Sequence, residues 1–202
     1  MTELIEFDTE RLRLRQWIPA DREPFAALNA DPKVMEFLHT PHERSASDAM
    51  ADRCQSLITE RGWGFWATEM KGTNKFIGFV GLHIPVSELP FFPCVEIGWR
   101  LAYPYWGKGF AIEAARAALQ VGFELLHLPE IVSFTALYNR RSRAVMERLG
   151  MRETTEIFEH PNVPMGSPLR KHCLYRLSRD QWLQGPDNIA VKQDALTAHP
   201  SR

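Results

Sequence analysis

The sequence lacks long hydrophobic runs and lacks a strong excess of either charge. No stretch of about eighteen apolar residues occurs in the 202 residues, although a membrane-spanning helix needs about that length. The formal net charge is −1, from 24 Lys and Arg against 25 Asp and Glu. Neither nucleic acid nor a membrane surface is therefore expected as a partner, because both usually select basic proteins. The start of the chain, "MTELIEFDTERL", has no apolar core of signal-peptide length.

Cysteine is also scarce. Cys54, Cys94 and Cys173 are odd in number, widely spaced, and in no CxxC pair. This pattern disfavours a disulfide framework or a zinc site and fits a reducing compartment. We therefore expect a cytoplasmic protein without a metal.

What is present is the composition of an ordinary globular domain, with 45% apolar and 24% charged residues. The last stretch, "GPDNIAVKQDALTAHPSR", has no periodicity. We expect one domain over residues 1–184 and a flexible tail over 185–202.

The order of periodic segments predicts an α/β protein with a mixed sheet. "ERLRLRQW" alternates as a strand with Leu12 and Leu14 inward. Helical patterns follow, with Asp21 as the N-cap of the first helix and Gly62 as the stop of the last. Two strands joined by the turn "KGTN" come next, and then a third strand, "CVEIGWRLA". The remaining predicted elements are a helix from about Ala111, the strand "EIVSFTAL", the helix "NRRSRAVMERLG", and the strands "MRETTEIF" and "LRKHCLYRLS".

The turn "WGKGFA" between the third of these strands and its helix is a candidate anion site. A strand that runs through glycines into a helix exposes unpaired amides at the positive end of the helix dipole. The spacing excludes a P-loop, and Ile112 stands where a dinucleotide fingerprint needs a small residue. A plain tight turn with a solvated lysine is the alternative.

Three segments in register resemble the GNAT acetyltransferases. "WGKGFA" is similar to their Gln/Arg-x-x-Gly-x-Gly/Ala pyrophosphate loop, with Trp106 in the first position as a departure from the common form. "TERLRLRQW" resembles the opening strand of the ribosomal-protein (RimJ/RimL-like) branch, and "ALYNRRSRAVMERLGM" its Asn-x-x-Ser segment. The resemblance covers roughly Thr9 to Ser178 in the family's order of elements.

The resemblance implies an acyl-CoA N-acyltransferase fold, with a mostly antiparallel sheet of six to seven strands flanked by helices. It implies direct transfer of acetyl from acetyl-CoA to a primary amine, either a protein N-terminus or a small molecule. A homodimer is possible within the family. The alternative function is a non-catalytic acyl-CoA-binding or sensing protein, and a third is a binding module for another phosphate ligand.

The resemblance also implies the cofactor contacts. Backbone amides of the loop would wrap the pyrophosphate, and the amides near Trp99 to Leu101 would hold the acetyl carbonyl. Asn139 caps its helix and would also touch the cofactor. The expected cofactor-binding residues are Trp99, Leu101, Trp106, Gly107, Lys108, Gly109, Phe110, Ala111, Asn139, Ser142 and Arg143.

For catalysis, the resemblance points to Glu96 as a general base acting through water, and to Ser142 as a general acid for the leaving thiolate. Pairing of Glu96 with Arg100 on the same strand face is the structural alternative. His160 or an ordered water chain could replace Glu96 as the base. Tyr138 could replace Ser142 as the acid.

The acceptor pocket is expected between the early helices, the "PFFP" loop and the "EHPNVPMGSP" loop. Five aromatic residues either line it or belong to the core. They are Trp63, Phe65, Trp66, Phe91 and Phe92.

Overall fold

The computed structural model describes residues 2–39, 43–85 and 89–185. Within these residues, eight strands form one sheet, and there are six α-helices. The strands are β1 (Phe7–Asp8), β2 (Leu12–Arg15), β3 (Phe65–Met70), β4 (Lys75–His83), β5 (Glu96–Leu101), β6 (Glu130–Ala136), β7 (Arg152–Glu159) and β8 (Lys171–Ser178). The helices are α1 (Arg22–Asn29), α2 (Pro32–Met35), α3 (Arg44–Arg61), α4 (Phe110–Gln120), α5 (Arg140–Arg148) and α6 (Arg179–Leu183).

The sheet order is β1-β2-β3-β4-β5-β6-β8-β7. All neighbouring strands run antiparallel except β5 and β6, which run parallel. The predicted mixed sheet is confirmed with eight strands, close to the six to seven expected. The two-residue β1 was missed because it is too short to show a period. The predicted tail lies, apart from Gly185, outside the described residues.

The first predicted strand is confirmed, with Leu12 and Leu14 fully buried. The prediction that the Asp21 side chain caps the amides of α1 is wrong, because it makes no hydrogen bond to them. Its carboxylate instead accepts two hydrogen bonds from Arg15, at 2.7 and 2.9 Å, and one from the Ile18 amide at 2.9 Å. A buried arginine on β2 outcompetes the local helix amides, because burial requires that its charge be paired.

Helix α4 lies against the centre of the sheet and carries the phosphate-loop glycines at its start. Its inner face is buried through Ala114, Ala115, Ala118 and Leu119. The helix continues as a π-helical turn at Val121–Leu125. The helix predicted from about Ala111 is confirmed, and it begins at Phe110.

The strand pair β5–β6 opens partway along its length. The register pairs only Glu96 with Val132, and the Val132 amide donates to the Val95 carbonyl at 2.9 Å. Farther along, β5 stays paired with β4 up to Leu101. A gap therefore widens between β5 and β6 from Glu96 toward the loop that precedes α4.

No helix in the described part of the chain is both long enough and apolar enough to cross a membrane.

Candidate active site

The loop before α4 is held in a conformation that requires glycine. Gly107 has a φ of 72° and Gly109 a φ of 83°, and Gly109 is the N-cap residue of α4. The Glu113 amide donates to the Gly109 carbonyl at 3.0 Å, which closes the first helical turn. The amides ahead of Glu113 have no intrahelical acceptor and point out of the helix start. The loop is thus shaped as an anion cradle.

Arg11 braces this loop from the neighbouring turn between β1 and β2. Its Nη1 donates to the Lys108 carbonyl at 3.0 Å, and its Nε donates to the Glu113 carboxylate at 2.6 Å. The guanidinium also lies 4.5 Å from the centre of the Phe110 ring. Thr9 donates to the same carboxylate at 2.5 Å. Burial alone would raise the pKa of Glu113, but the bonds from Thr9 and Arg11 outweigh it and lower that pKa.

Trp106, at the unusual first position of the loop motif, is fixed by two contacts. Its indole Nε1 donates to the Leu101 carbonyl at 2.7 Å, at the end of β5. The Arg141 guanidinium lies 4.9 Å from its ring centre and forms an ion pair with Glu36. Trp106 therefore joins the loop, β5, and the start of α5 through its side chain.

The backbone of β5 turns alternate amides into the gap. The Ala102 amide donates to the Ile77 carbonyl of β4 at 2.9 Å. Because hydrogen-bonding direction alternates along a strand, the amides of Trp99 and Leu101 face away from β4. They face the side on which β6 has separated.

Asn139 and Ser142 form one hydrogen-bonded unit at the start of α5. Asn139 Oδ1 accepts from the Ser142 amide at 3.2 Å, which confirms the predicted N-cap. Asn139 Nδ2 donates to Ser142 Oγ and to Thr135 Oγ1, both at 3.0 Å. Both amide hydrogens of Asn139 are thereby used, and Oδ1 keeps one free lone pair. Tyr138, the other candidate acid, is 71% exposed.

Arg143 binds within the fold. Its guanidinium donates to both carboxylate oxygens of Glu153, at 2.8 and 2.9 Å, and to the Leu137 carbonyl at 3.2 Å. It also donates to the Tyr175 hydroxyl at 3.2 Å. A cofactor phosphate at Arg143 would compete with Glu153, so its cofactor contact stays a prediction.

Glu96 lies at the closed end of the gap, in the wall of a cavity of about 230 Å³. Desolvation raises the pKa of its carboxyl group to about 8. Within the described part of the chain, the side chain of Glu96 has no hydrogen bond or ion pair. Arg100, the alternative partner, instead donates to Asn29 Oδ1 at 2.8 Å. The pairing alternative is therefore wrong, and the role of Glu96 as a base stays a prediction.

The other walls of this cavity come from five separate segments. They are Arg53 of α3, His83 and Pro85 at the end of β4, Leu89, Phe134 of β6, and His160, Pro161 and Asn162 after β7. The cavity lies between an early helix and the loop with His160, as expected for the acceptor pocket, but Leu89 lines it in place of the "PFFP" loop.

Both cavity histidines are held neutral. Burial, with Arg53 and Arg61 nearby, lowers the pKa of His83 to about 4. Burial and Arg170 also lower the pKa of His160. The Asn162 amide donates to His160 Nδ1 at 3.2 Å, so its other ring nitrogen carries the proton. His160 therefore offers the cavity a donor, which suits it poorly as a base.

Of the five candidate aromatic residues, the cavity wall formed by the described residues includes none. Trp66 is fully buried in the core, Trp63 packs at its margin, and Phe65 stacks on His83 with 5.0 Å between ring centres. Phe91 packs on Phe134, and Phe92 is 49% exposed. For Trp66 the core alternative is confirmed.

The three thiols are unsuited to covalent catalysis. Burial raises the pKa of Cys54 to about 12, and burial with Glu96 nearby raises that of Cys94 to about 11. Cys173 is buried and its pKa is also raised by desolvation. All three are free thiols and would remain protonated near neutral pH.

Sequence reasoning missed Arg11 and Arg53. Arg11 acts across a separation of about a hundred residues, and its only signal was its place in the strand motif "TERLRLRQW". Arg53 lies on an exposed helix face of ordinary composition, which carries no local signal.

Known proteins provide a comparison for this geometry. The profile described as "Acetyltransferase (GNAT) domain" matches residues 11–152. An uncharacterized N-acetyltransferase of Bacillus subtilis, YnaD, is 34% identical over 186 residues, covering 86% of this chain and 97% of the relative. The FsC-acetyl coenzyme A-N(2)-transacetylase of Aspergillus fumigatus is 29% identical over 185 residues, covering 87% of this chain and 77% of the relative. A solved acetyltransferase of Agrobacterium tumefaciens superposes with a TM-score of 0.68 at 29% identity, covering 88% of this chain and 96% of that one.

Proposed function

Because the chain belongs to the GNAT acetyltransferase family, we propose that it transfers an acetyl group from acetyl-CoA directly to a primary amine. Its sheet, opened between β5 and β6, has the GNAT fold, and the family makes the chain an acetyl-CoA-dependent acyltransferase. The proposal adds the roles of individual residues and the kind of acceptor. We assign the catalytic domain to residues 1–184.

The cofactor end of the proposed site is the loop before α4. The amides from Gly107 to Ala111 would bind the pyrophosphate, because two residues with positive φ and a helix start direct them outward. A side chain on Gly109 would meet Arg11 at 3.3 Å, so the cradle needs its glycine. The Trp99 and Leu101 amides would pair with the arm of the cofactor and its acetyl carbonyl, in the manner of an added strand.

The single observation that carries the catalytic proposal is the unpartnered Glu96 carboxyl group at the closed end of the gap. β5 rises about 3.3 Å per residue, so Glu96 lies roughly 16 Å from Leu101 along the opening. An extended cofactor arm anchored at the loop would bring its thioester toward Glu96. Glu96 then takes the proton from the attacking amine, directly or through water, as general-base catalysis requires.

We assign to Ser142 the role of the general acid that protonates the leaving thiolate. Its hydroxyl accepts from Asn139, which leaves its own proton available to the sulfur. Because a thiol has an ordinary pKa of about 8.5, this group needs only modest help. The protonated state of Cys54, Cys94 and Cys173 supports transfer in one step, without an acetyl-cysteine intermediate.

The acceptor is a primary amine that enters the cavity beside Glu96. The cavity volume of about 230 Å³ favours a small amine over a bulky one. The name of the Aspergillus relative describes transfer to an N(2) position, which supports a nitrogen acceptor. Membership in the ribosomal-protein branch, and with it a peptide N-terminus as acceptor, rests on the resemblance of "TERLRLRQW" and "ALYNRRSRAVMERLGM".

The test is calorimetric titration with acetyl-CoA, CoA and ATP, followed by thiol release with a panel of small amines and N-terminal peptides. We expect acetyl-CoA and CoA to bind, ATP to bind far more weakly, and at least one amine to release thiol in step with its own acetylation. Binding of ATP alone would contradict the assignment of the loop. Binding of acetyl-CoA without turnover of any amine would favour a sensor.

A further inference from the structure

One basic and one acidic side chain face the proposed acceptor cavity without pairing with each other. Arg53 of α3 and Glu96 of β5 both line it. Among the described residues neither takes part in a hydrogen bond or an ion pair. Because Arg53 is exposed to solvent, its charge is stable without an internal partner. One guanidinium and one carboxyl group are thus available to a ligand.

Among the described residues that line this cavity, Arg53 is the one that carries a full positive charge. The two histidines that line it, His83 and His160, are neutral near pH 7, for the reasons given above. The rest of the polar wall is Asn162, whose side chain carries no charge. Because a guanidinium presents several donors in a planar fork, it suits a carboxylate or a phosphate.

We propose that Arg53 binds an anionic group on the acceptor, so that the enzyme acts on small amines that also carry a carboxylate or a phosphate. The inference rests on the proposed function, because Glu96 must receive the amine for Arg53 to receive the anion. Arg53 is a specificity-determining residue, and it takes no part in bond formation. An amine with a single positive charge would leave the guanidinium without a partner.

The cavity is partly open to solvent, and its small volume favours a compact acceptor. About 230 Å³ is below the range of roughly 300–1,000 Å³ that is typical of drug-sized ligands. An amine and an anion separated by two or three bonds suit such a volume.

The experiment compares matched acceptors that differ in the anion. β-Alanine is measured against β-alaninamide, and O-phosphoethanolamine against ethanolamine, as kcat/KM for thiol release. The comparison is made in the unmodified protein, in Arg53→Gln and in Arg61→Gln. Arg61 lies on the same helix, outside the cavity wall, and is paired with Glu60 at 3.9 Å. For each variant, the ratio of kcat/KM for the anionic acceptor to kcat/KM for the neutral acceptor is divided by the same ratio in the unmodified protein. This division cancels the intrinsic reactivity of the amines.

We expect Arg53→Gln to lower the anionic-to-neutral ratio about fivefold to tenfold, a size that reflects the exposure of Arg53. Arg61→Gln should leave the ratio unchanged. The pair that responds more strongly identifies the anion as carboxylate or phosphate. An equal fall for both members of each pair, or no change for either, would overturn the proposal.

Failure of the proposed function gives a different result. If no amine releases thiol from the unmodified protein, acetyl transfer to these acceptors is contradicted, whereas charge recognition is still measurable. Equilibrium binding of the same four compounds to the CoA-bound protein then supplies the ratios. Loss of the anionic preference in Arg53→Gln would support the inference, and the absence of any preference in the unmodified protein would overturn it.

Discussion

The two ends of the opening between β5 and β6 differ in how their charged groups are partnered. At the loop end Arg11 binds Glu113, and Arg141 binds Glu36. At the cavity end Glu96 and Arg53 have no such partner in the described part of the chain. The ionisable side chains at the loop end are already paired within the protein, whereas those at the cavity end are available to a ligand. Variants at the loop should therefore change cofactor binding, and variants at the cavity should change turnover.

The largest effect is expected from Gly109→Glu. The φ of 83° disfavours any side chain, and the new carboxylate would occupy the cradle meant for an anion. The Kd for acetyl-CoA in calorimetry should rise by at least about a hundredfold. Each tenfold rise in Kd corresponds to a loss of about 1.4 kcal/mol in binding free energy. Gly72→Glu is the matched control, with a φ of 81° and nothing within 4 Å of a new Cβ. A folded Gly109→Glu protein with unchanged affinity would refute the anion-cradle interpretation.

Glu96→Gln should affect the opposite end of the site. Loss of the base should lower kcat by about a hundredfold, while the Kd for acetyl-CoA stays within about twofold. Glu60→Gln, on the exposed end of α3, is the control for loss of a carboxylate. A parallel loss of acetyl-CoA affinity in Glu96→Gln would break the division between the two ends.

The same variant should change stability with a defined sign. Burial raises the pKa of Glu96 to about 8, above the ordinary value of 4.5. The folded protein thus favours the protonated group, and this contribution is lost as pH rises toward and through 8. Because glutamine does not ionise, Glu96→Gln should gain in Tm relative to the unmodified protein between pH 6 and pH 9. If the difference in Tm between Glu96→Gln and the unmodified protein is the same at pH 6 and at pH 9, Glu96 is well solvated.

A smaller effect is expected from Ser142→Ala, at the junction of the two ends. The backbone bond from Ser142 to Asn139 survives this change, so only the hydroxyl is lost. We expect kcat to fall about tenfold, as for modest general-acid help. The loss should shrink with acyl donors whose thiol is more acidic, which a purely structural role would not produce. Tyr138→Phe should stay within about twofold, and the reverse order of the two variants would assign the acid to Tyr138.

The smallest effect is expected from Arg11→Gln. It removes the brace on the Lys108 carbonyl and Glu113 but leaves the loop glycines in place. The Kd for acetyl-CoA should rise about fivefold with little change in kcat, as for loss of a hydrogen bond to a charged group on a partly exposed surface. Arg13→Gln, two residues along the chain on β2 and paired with Glu6 at 3.6 Å, is the control. Equal affinities in the two variants would show that the loop holds its shape without Arg11.

The contrast between the two ends also explains what could be predicted from the sequence. The glycine turn and the Asn139 cap are local, so their residues reveal them, and strand alternation reveals Leu12 and Leu14. The cavity is assembled from α3, β4, β5, β6 and the loop after β7, and no short window contains it. The role of Asp21 was also misread. Its partner Arg15 is near in the sequence, but the two pair because both are buried in the folded protein, which the sequence does not show.

The pH dependence of acetyl transfer, followed as thiol release together with the acetylated amine, tests the central claim most directly. In the unmodified protein the rate should rise as pH passes through about 8, where Glu96 ionises, with one acetylated amine formed per thiol released. Glu96→Gln should lack this rise, so the two rates should differ most above pH 8. Identical profiles for the two proteins, or thiol release without an acetylated amine, would contradict the account.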